Sequence, residues 1–86
     1  MYYVYVLKSL KDKRLYVGHT NDLIKRFRQH NDGLAEVTKS RRPFQLLYYE
    51  ACNILEDAVK REKSLKTGFG RAYLKRRLSD LKISLL

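Results

Sequence analysis

At 86 residues the chain has room for one core and a single domain, 1–86, and with 44% hydrophobic residues it reads as a folded unit rather than a disordered one. One cysteine, Cys52, excludes an internal disulfide framework and a cysteine zinc cluster, and no stretch is apolar enough to span a membrane, so a reducing, cytoplasmic setting is expected. The formal net charge of +10 points to a polyanionic partner, nucleic acid ahead of a membrane surface.

The first element expected is a strand over Tyr2 to Leu7, aromatic and β-branched. Lys11-Asp12-Lys13 reads as a polar turn, and Arg14 to Val17 as a second strand ended by Gly18, so that the two form an antiparallel hairpin. A helix starts near Thr20, with Thr20 or Asn21 as its cap, Asp22 complementing its positive end and Gly33 as its stop. Leu23, Ile24 and Phe27 form its expected buried stripe. Arg26 and His30, four residues apart, stand beside that stripe and face the sheet's edge.

Residues 34–43 form a polar, basic loop that ends in Arg41-Arg42-Pro43. Phe44 to Ala51 follows as a third strand, apolar on both alternating sets and therefore expected at the centre of the sheet. Cys52 reads as a small buried apolar group at its end. A second helix starts at Asn53, which has Glu56 three residues on, and turns Leu55, Ala58, Glu62 and Leu65 inward.

Glu62 is the anomaly in that stripe, because a carboxylate on an apolar face needs a partner, a proton or a cation. A salt bridge to Arg26 or Lys66 is the plain structural explanation. Thr67 to Gly70 breaks the chain before a last helix with Leu74, Leu78, Leu81 and Leu85 on one side and basic residues on the others. The charge is concentrated at this end. Residues 60–86 hold nine Lys or Arg against Glu62 and Asp80, a net +7, whereas residues 1–59 hold ten against seven acidic groups, a net +3. A solvated basic helix that binds nothing in particular is the bland alternative to a nucleic-acid surface.

The whole pattern is an α+β domain in the order β-β-α-β-α-α, a small three-stranded antiparallel sheet flanked by helices. Within it, Tyr3-Val4-Tyr5, Tyr16-Val17-Gly18, the spacing Arg26 to His30, and Glu62 occur in order. Each piece is common by itself, and the combination is specific. It resembles the GIY-YIG nuclease superfamily, and most closely its small single-domain bacterial members. Tyr3 stands where the first motif has Gly, Val replaces Ile in both motifs, and no Asn occurs around Leu74.

The resemblance implies an endonuclease that hydrolyses DNA phosphodiester bonds, as the repair incision enzymes do. It implies a catalytic set of Tyr5, Tyr16, Arg26, His30 and Glu62, with Glu62 holding one Mg²⁺ or another divalent cation such as Mn²⁺. Tyr16 then takes a proton from water with Tyr5 nearby, His30 relays that proton or orients the attacking group, and Arg26 clamps the phosphate. His19, Arg71, Lys75 and Arg76 are the expected nucleic-acid contacts, and a protein partner is a possible source of target specificity. The competing reading is a non-catalytic nucleic-acid-binding module that keeps the fold and its basic face. Tyr2, Tyr3, Tyr48, Tyr49 and Tyr73 are assigned to structure.

Overall fold

The computed structural model describes residues 1–79. Strands β1 (Tyr2–Ser9) and β2 (Leu15–Thr20) form the expected hairpin, followed by helix α1 (Leu23–Asn31), strand β3 (Phe44–Cys52) and helices α2 (Leu55–Leu65) and α3 (Gly68–Arg77). The sheet is antiparallel throughout in the order β2-β1-β3. The fold is therefore α+β with the expected order of elements.

The centre of the sheet is β1, not β3. Val4, Tyr5, Val6 and Leu7 are all at most 2% exposed, so β1 is buried on both faces and needs a strand on either side. The apolar run in β3 was a poor guide because the β1–β3 register shifts between Val6 and Leu7. Leu46 pairs with Leu7 and Tyr48 with Val6, which leaves Leu47 as the extra residue of a bulge. The strict alternation is interrupted there, and Tyr49 and Ala51 end up exposed.

The two sheet faces carry separate cores. Val4, Val6 and Val17 pack against Ala58, Leu65 and Leu74 of α2 and α3. Tyr5, Leu7 and Phe44 pack against Leu23 and Phe27 of α1, with Tyr16 and Leu46 beside them. Cys52 is half-buried against the first of these cores.

Three helix boundaries differ from expectation. Asp22, rather than Thr20 or Asn21, caps α1: its carboxylate accepts the Lys25 N–H at 3.1 Å, while Thr20 Oγ1 accepts the Asp22 N–H. The strand also continues through Gly18 to Thr20. Helix α2 begins after Ile54 with no side-chain cap, so Asn53 and Glu56 form no capping box. Helix α3 starts at Gly68 with Thr67 as its cap, which places Phe69 and Gly70 inside its first turn.

Ile24 and Leu55, both expected inside, are 67% and 45% exposed. Leu74 and Leu78 do face the core, and Leu81, Leu85 and Lys82 lie outside the described residues.

The two glycines of α3 are not equivalent. A Cβ on Gly70 would collide with Leu65 Cα and the Ser64 carbonyl oxygen, so this glycine sets how closely α3 approaches the end of α2. A Cβ on Gly68 would meet nothing within 4 Å. Gly70→Ala is expected to lower the stability by roughly 1–3 kcal/mol or more. Gly68→Ala is expected to leave it unchanged or to raise it by up to about 1 kcal/mol. Urea unfolding of the two variants measures the difference, and equal midpoints would contradict this packing.

Candidate active site

The α1 face of the sheet gathers Tyr5, Tyr16, Arg26 and His30. Strand pairing sets Tyr5 opposite Gly18 and Leu7 opposite Tyr16, so the two tyrosines stand diagonally on one face with ring centroids 6.4 Å apart. Gly18 has a steric role here. A Cβ on it would lie 2.5 Å from the Tyr5 hydroxyl oxygen and 3.2 Å from the Tyr16 ring, so the Tyr5 side chain lies across the space that any larger residue would fill.

Helix α1 delivers His30 onto this pair. The imidazole is fully buried, with ring centroids 5.0 Å from Tyr16, 5.7 Å from Tyr5 and 6.0 Å from Phe44. Its Nε2 lies 2.9 Å from the Tyr5 hydroxyl, and its Nδ1 lies 2.7 Å from Thr38 Oγ1. Thr38, 0% exposed, donates its own hydroxyl toward the Ala35 carbonyl at 3.4 Å, which leaves its oxygen free to accept. The consistent assignment is therefore Nδ1–H donating to Thr38, and the Tyr5 O–H donating to a bare Nε2.

The surrounding electrostatics favour that neutral arrangement. Burial, with Arg26 adding to it, lowers the His30 pKa to about 4. Burial also raises the Tyr5 pKa. The Arg26 guanidinium opposes that rise, while Tyr16 and the Glu62 charge add to it. Arg26, Tyr16 and Glu62 thus all act on one phenol.

Thr38 was not singled out from the sequence. It is an isolated threonine in the 34–43 loop, and no periodic pattern marks it. The loop is pinned by contacts distant in sequence: the Ser9 hydroxyl donates to the Arg41 carbonyl at 2.6 Å, Arg41 pairs with Asp12 at 2.8 Å, and the Asn31 amide brackets the backbone of Phe44.

Glu62 comes from the other layer. On β2, His19 faces away from Gly18 and Tyr16, toward α2. His19 Nδ1 lies 2.6 Å from Glu62 Oε1, and Lys66 Nζ lies 2.8 Å from Oε2. The Lys66 salt bridge named as the plain explanation is present, and Arg26 instead donates to Gln29 at 3.1 Å. Burial works against ionisation of Glu62, but the hydrogen bonds from Lys66 and His19 outweigh it and hold the carboxyl below its ordinary pKa.

As a cation site the arrangement rests on one carboxylate. Among the described residues no group of three or more His, Cys, Asp or Glu stands together as metal ligands. Mg²⁺ keeps several waters and needs few protein ligands, so a single ionised Glu62 fits it, provided that the half-exposed Lys66 ammonium moves aside. On α3, the remaining expected contacts Arg71, Lys75 and Arg76 are all exposed.

A family model described as the GIY-YIG catalytic domain matches residues 1–79. The chain belongs to the GIY-YIG family. Among similar proteins, the UPF0213 protein SSP2268 of Staphylococcus saprophyticus is 45% identical over 67 residues, covering 77% of this chain and 80% of the relative. The UPF0213 protein YazA of Bacillus subtilis is 42% identical over 66 residues, 76% of this chain and 66% of the relative. A solution NMR structure of the UPF0213 protein BH0048 from Bacillus halodurans is 34% identical and spans 99% of this chain and 85% of that one, with a TM-score of 0.47. Family membership places the chain in a nuclease superfamily, whose members generally use a divalent metal. Among the described residues no helix of this GIY-YIG chain is long and apolar enough to cross a membrane.

The His30 environment has a measurable pH consequence. Its folded pKa, about 4, lies below the ordinary 6.5, so between these values the unfolded chain binds more protons and stability falls as the pH drops. The contribution is fully present above pH ~6.5 and is lost by about pH 4. Histidine ring ¹⁵N spectra at pH 6 are expected to show His30 as the neutral Nδ1–H tautomer. Protonation near pH 6.5 would contradict the buried hydrogen-bond chain.

Proposed function

We propose that this chain is a metal-dependent endonuclease that hydrolyses phosphodiester bonds in DNA, acting in the cytoplasm through the site built on Tyr5, Tyr16, Arg26, His30 and Glu62. The observation that carries the reading is the buried Tyr5–His30 hydrogen bond, with Arg26, Tyr16 and Glu62 acting together on the Tyr5 phenol. Packing alone does not require a polar pair and three further functional groups that act on its phenol.

Each residue's part follows from its chemistry and surroundings. Arg26 holds non-bridging phosphate oxygens with its planar fork of donors, a task lysine performs less well. Tyr16, more exposed than the 2%-exposed Tyr5, meets the attacking water, and as the phenolate it takes the water's proton and becomes the neutral phenol. Tyr5 and His30 form the neutral pair behind it. His30 Nε2 accepts the Tyr5 hydroxyl hydrogen bond and so fixes where that phenol points, and Thr38 fixes the tautomer that leaves this nitrogen able to accept. Glu62 is the residue that would hold a divalent cation, with His19 beside it. Held there, such an ion would supply charge neutralisation at the phosphate and at the departing oxygen. Arg71, Lys75 and Arg76 extend the electrostatic footprint along the nucleic acid.

One observation favours the non-catalytic alternative. Both Glu62 oxygens are engaged, one by His19 and the other by Lys66, so a binding module has no need to release them. The two readings part in a cleavage assay. Plasmid and branched DNA are expected to be cut in Mg²⁺ but not in EDTA, and Glu62→Ala is expected to abolish cutting while DNA binding persists. Tyr16→Phe is expected to slow cutting by roughly 100-fold or more with binding unchanged. Salt-sensitive binding with no cutting in any metal would overturn the enzyme reading and leave the module.

A further inference from the structure

An open groove of about 680 Å³ lies next to this site on the α1 face, and no residue of the proposed reaction lines it. Its walls include Tyr3, Phe27, Ile24 and Tyr49, with Asn21 and Arg28 supplying polar and cationic groups. The size suits a flat organic ligand, and the mix of aromatic walls with a few polar groups is that of a binding site. Two of these residues are apolar or aromatic and unusually open: Ile24 is 67% and Tyr49 54% exposed. Tyr3 and Tyr49 meet edge to face, with centroids 6.1 Å apart and planes at 63°. Such a pair covers only one of its four ring faces, so a further planar group has a surface to stack on.

The groove continues the candidate active site. Tyr3 and Tyr5 are two residues apart on β1 and share a sheet face, and Tyr49 is the β3 partner of Tyr5. Tyr3 also occupies the position where the motif it resembles has a glycine, so an aromatic ring lines the groove at a position to which the proposed reaction assigns no part.

We propose that this groove is a nucleobase subsite, in which Tyr49, with Tyr3 against it, stacks on an unpaired base of the strand being cut. The subsite presupposes the nucleic-acid reading above and narrows it to substrates with a base free of its partner. Aromatic stacking accepts any base, because every base has a π-face, while phosphates are held electrostatically elsewhere. The charge on the walls fits a base rather than the backbone. Arg28 supplies a cation that packs well on bases, whereas Asp22, also on the wall, brings a carboxylate that disfavours phosphate at that point.

The chain contains no tryptophan, so Tyr49→Trp introduces a single fluorescent reporter. The titrations are run in EDTA, which keeps cleavage out of the readout, with oligothymidylate and with an abasic oligonucleotide of equal length carrying the same phosphates. The base-bearing strand is expected to quench the Tyr49→Trp emission and the abasic strand to leave it nearly unchanged. Tyr49→Ala is expected to weaken oligothymidylate binding by about 5- to 150-fold while leaving abasic binding unaltered, and Tyr49→Phe to restore it. Arg71→Ala is expected to weaken both strands alike. Equal binding of the two strands, unaffected by Tyr49→Ala, would overturn the subsite and leave the nucleic-acid reading standing. No binding of either strand at low salt would overturn both.

Discussion

The arrangement of this small domain depends on satisfying two polar groups in its core, the Tyr5 hydroxyl and the His30 imidazole. Each would be costly to bury alone, and neither reaches solvent. Together with Thr38 they close a chain of hydrogen bonds that ends on a backbone carbonyl, and among the described residues no buried side-chain nitrogen or oxygen lacks a partner. Meeting that requirement fixes several features at once. Gly18 must lack a side chain so that the Tyr5 ring can lie across it, α1 must carry His30 to the sheet, and the 34–43 loop must return to bring Thr38 beneath the ring.

Charge is distributed around this neutral centre rather than within it. Arg26 and Glu62 approach from helices on opposite faces of the sheet, and both influence the Tyr5 phenol. Burial, with Arg26 and Glu62 pulling in opposite directions, leaves the tyrosine protonated in the free protein, and burial keeps the imidazole uncharged at neutral pH. A substrate phosphate and a cation would add their charges to a site already holding both signs. The exposed cations of α3 lie outside it, where on the proposed reading they would supply a sequence-independent attraction for nucleic acid.

Much of this was legible in the sequence because local signals agreed with the fold. The β-branched and aromatic run of β1, the four-residue spacing of Arg26 and His30, and the lone carboxylate on the α2 stripe each carried their information within one element. What could not be read depended on contacts between elements. A bulge that shifts register gave β3 the double-sided apolar pattern of a central strand. Thr38 matters only because Ser9, Asp12 and Asn31 hold its loop in place. Thr20, Asn21 and Asp22 are all competent caps in sequence, and tertiary geometry selects the last. The exposure of Tyr49 was equally hidden, since a tyrosine in an apolar strand reads as core.

The measurement closest to the centre of this account is single-turnover cleavage of branched DNA in Mg²⁺ by the Tyr5→Phe protein, with DNA affinity measured in parallel. Removing that hydroxyl leaves the ring and its packing in place but takes away the partner of His30 Nε2. The account predicts a rate lower by roughly 100-fold with affinity unchanged, because the groups around the phenol lose their common reference point. A Tyr5→Phe protein that folds and cuts as fast as the parent would contradict it.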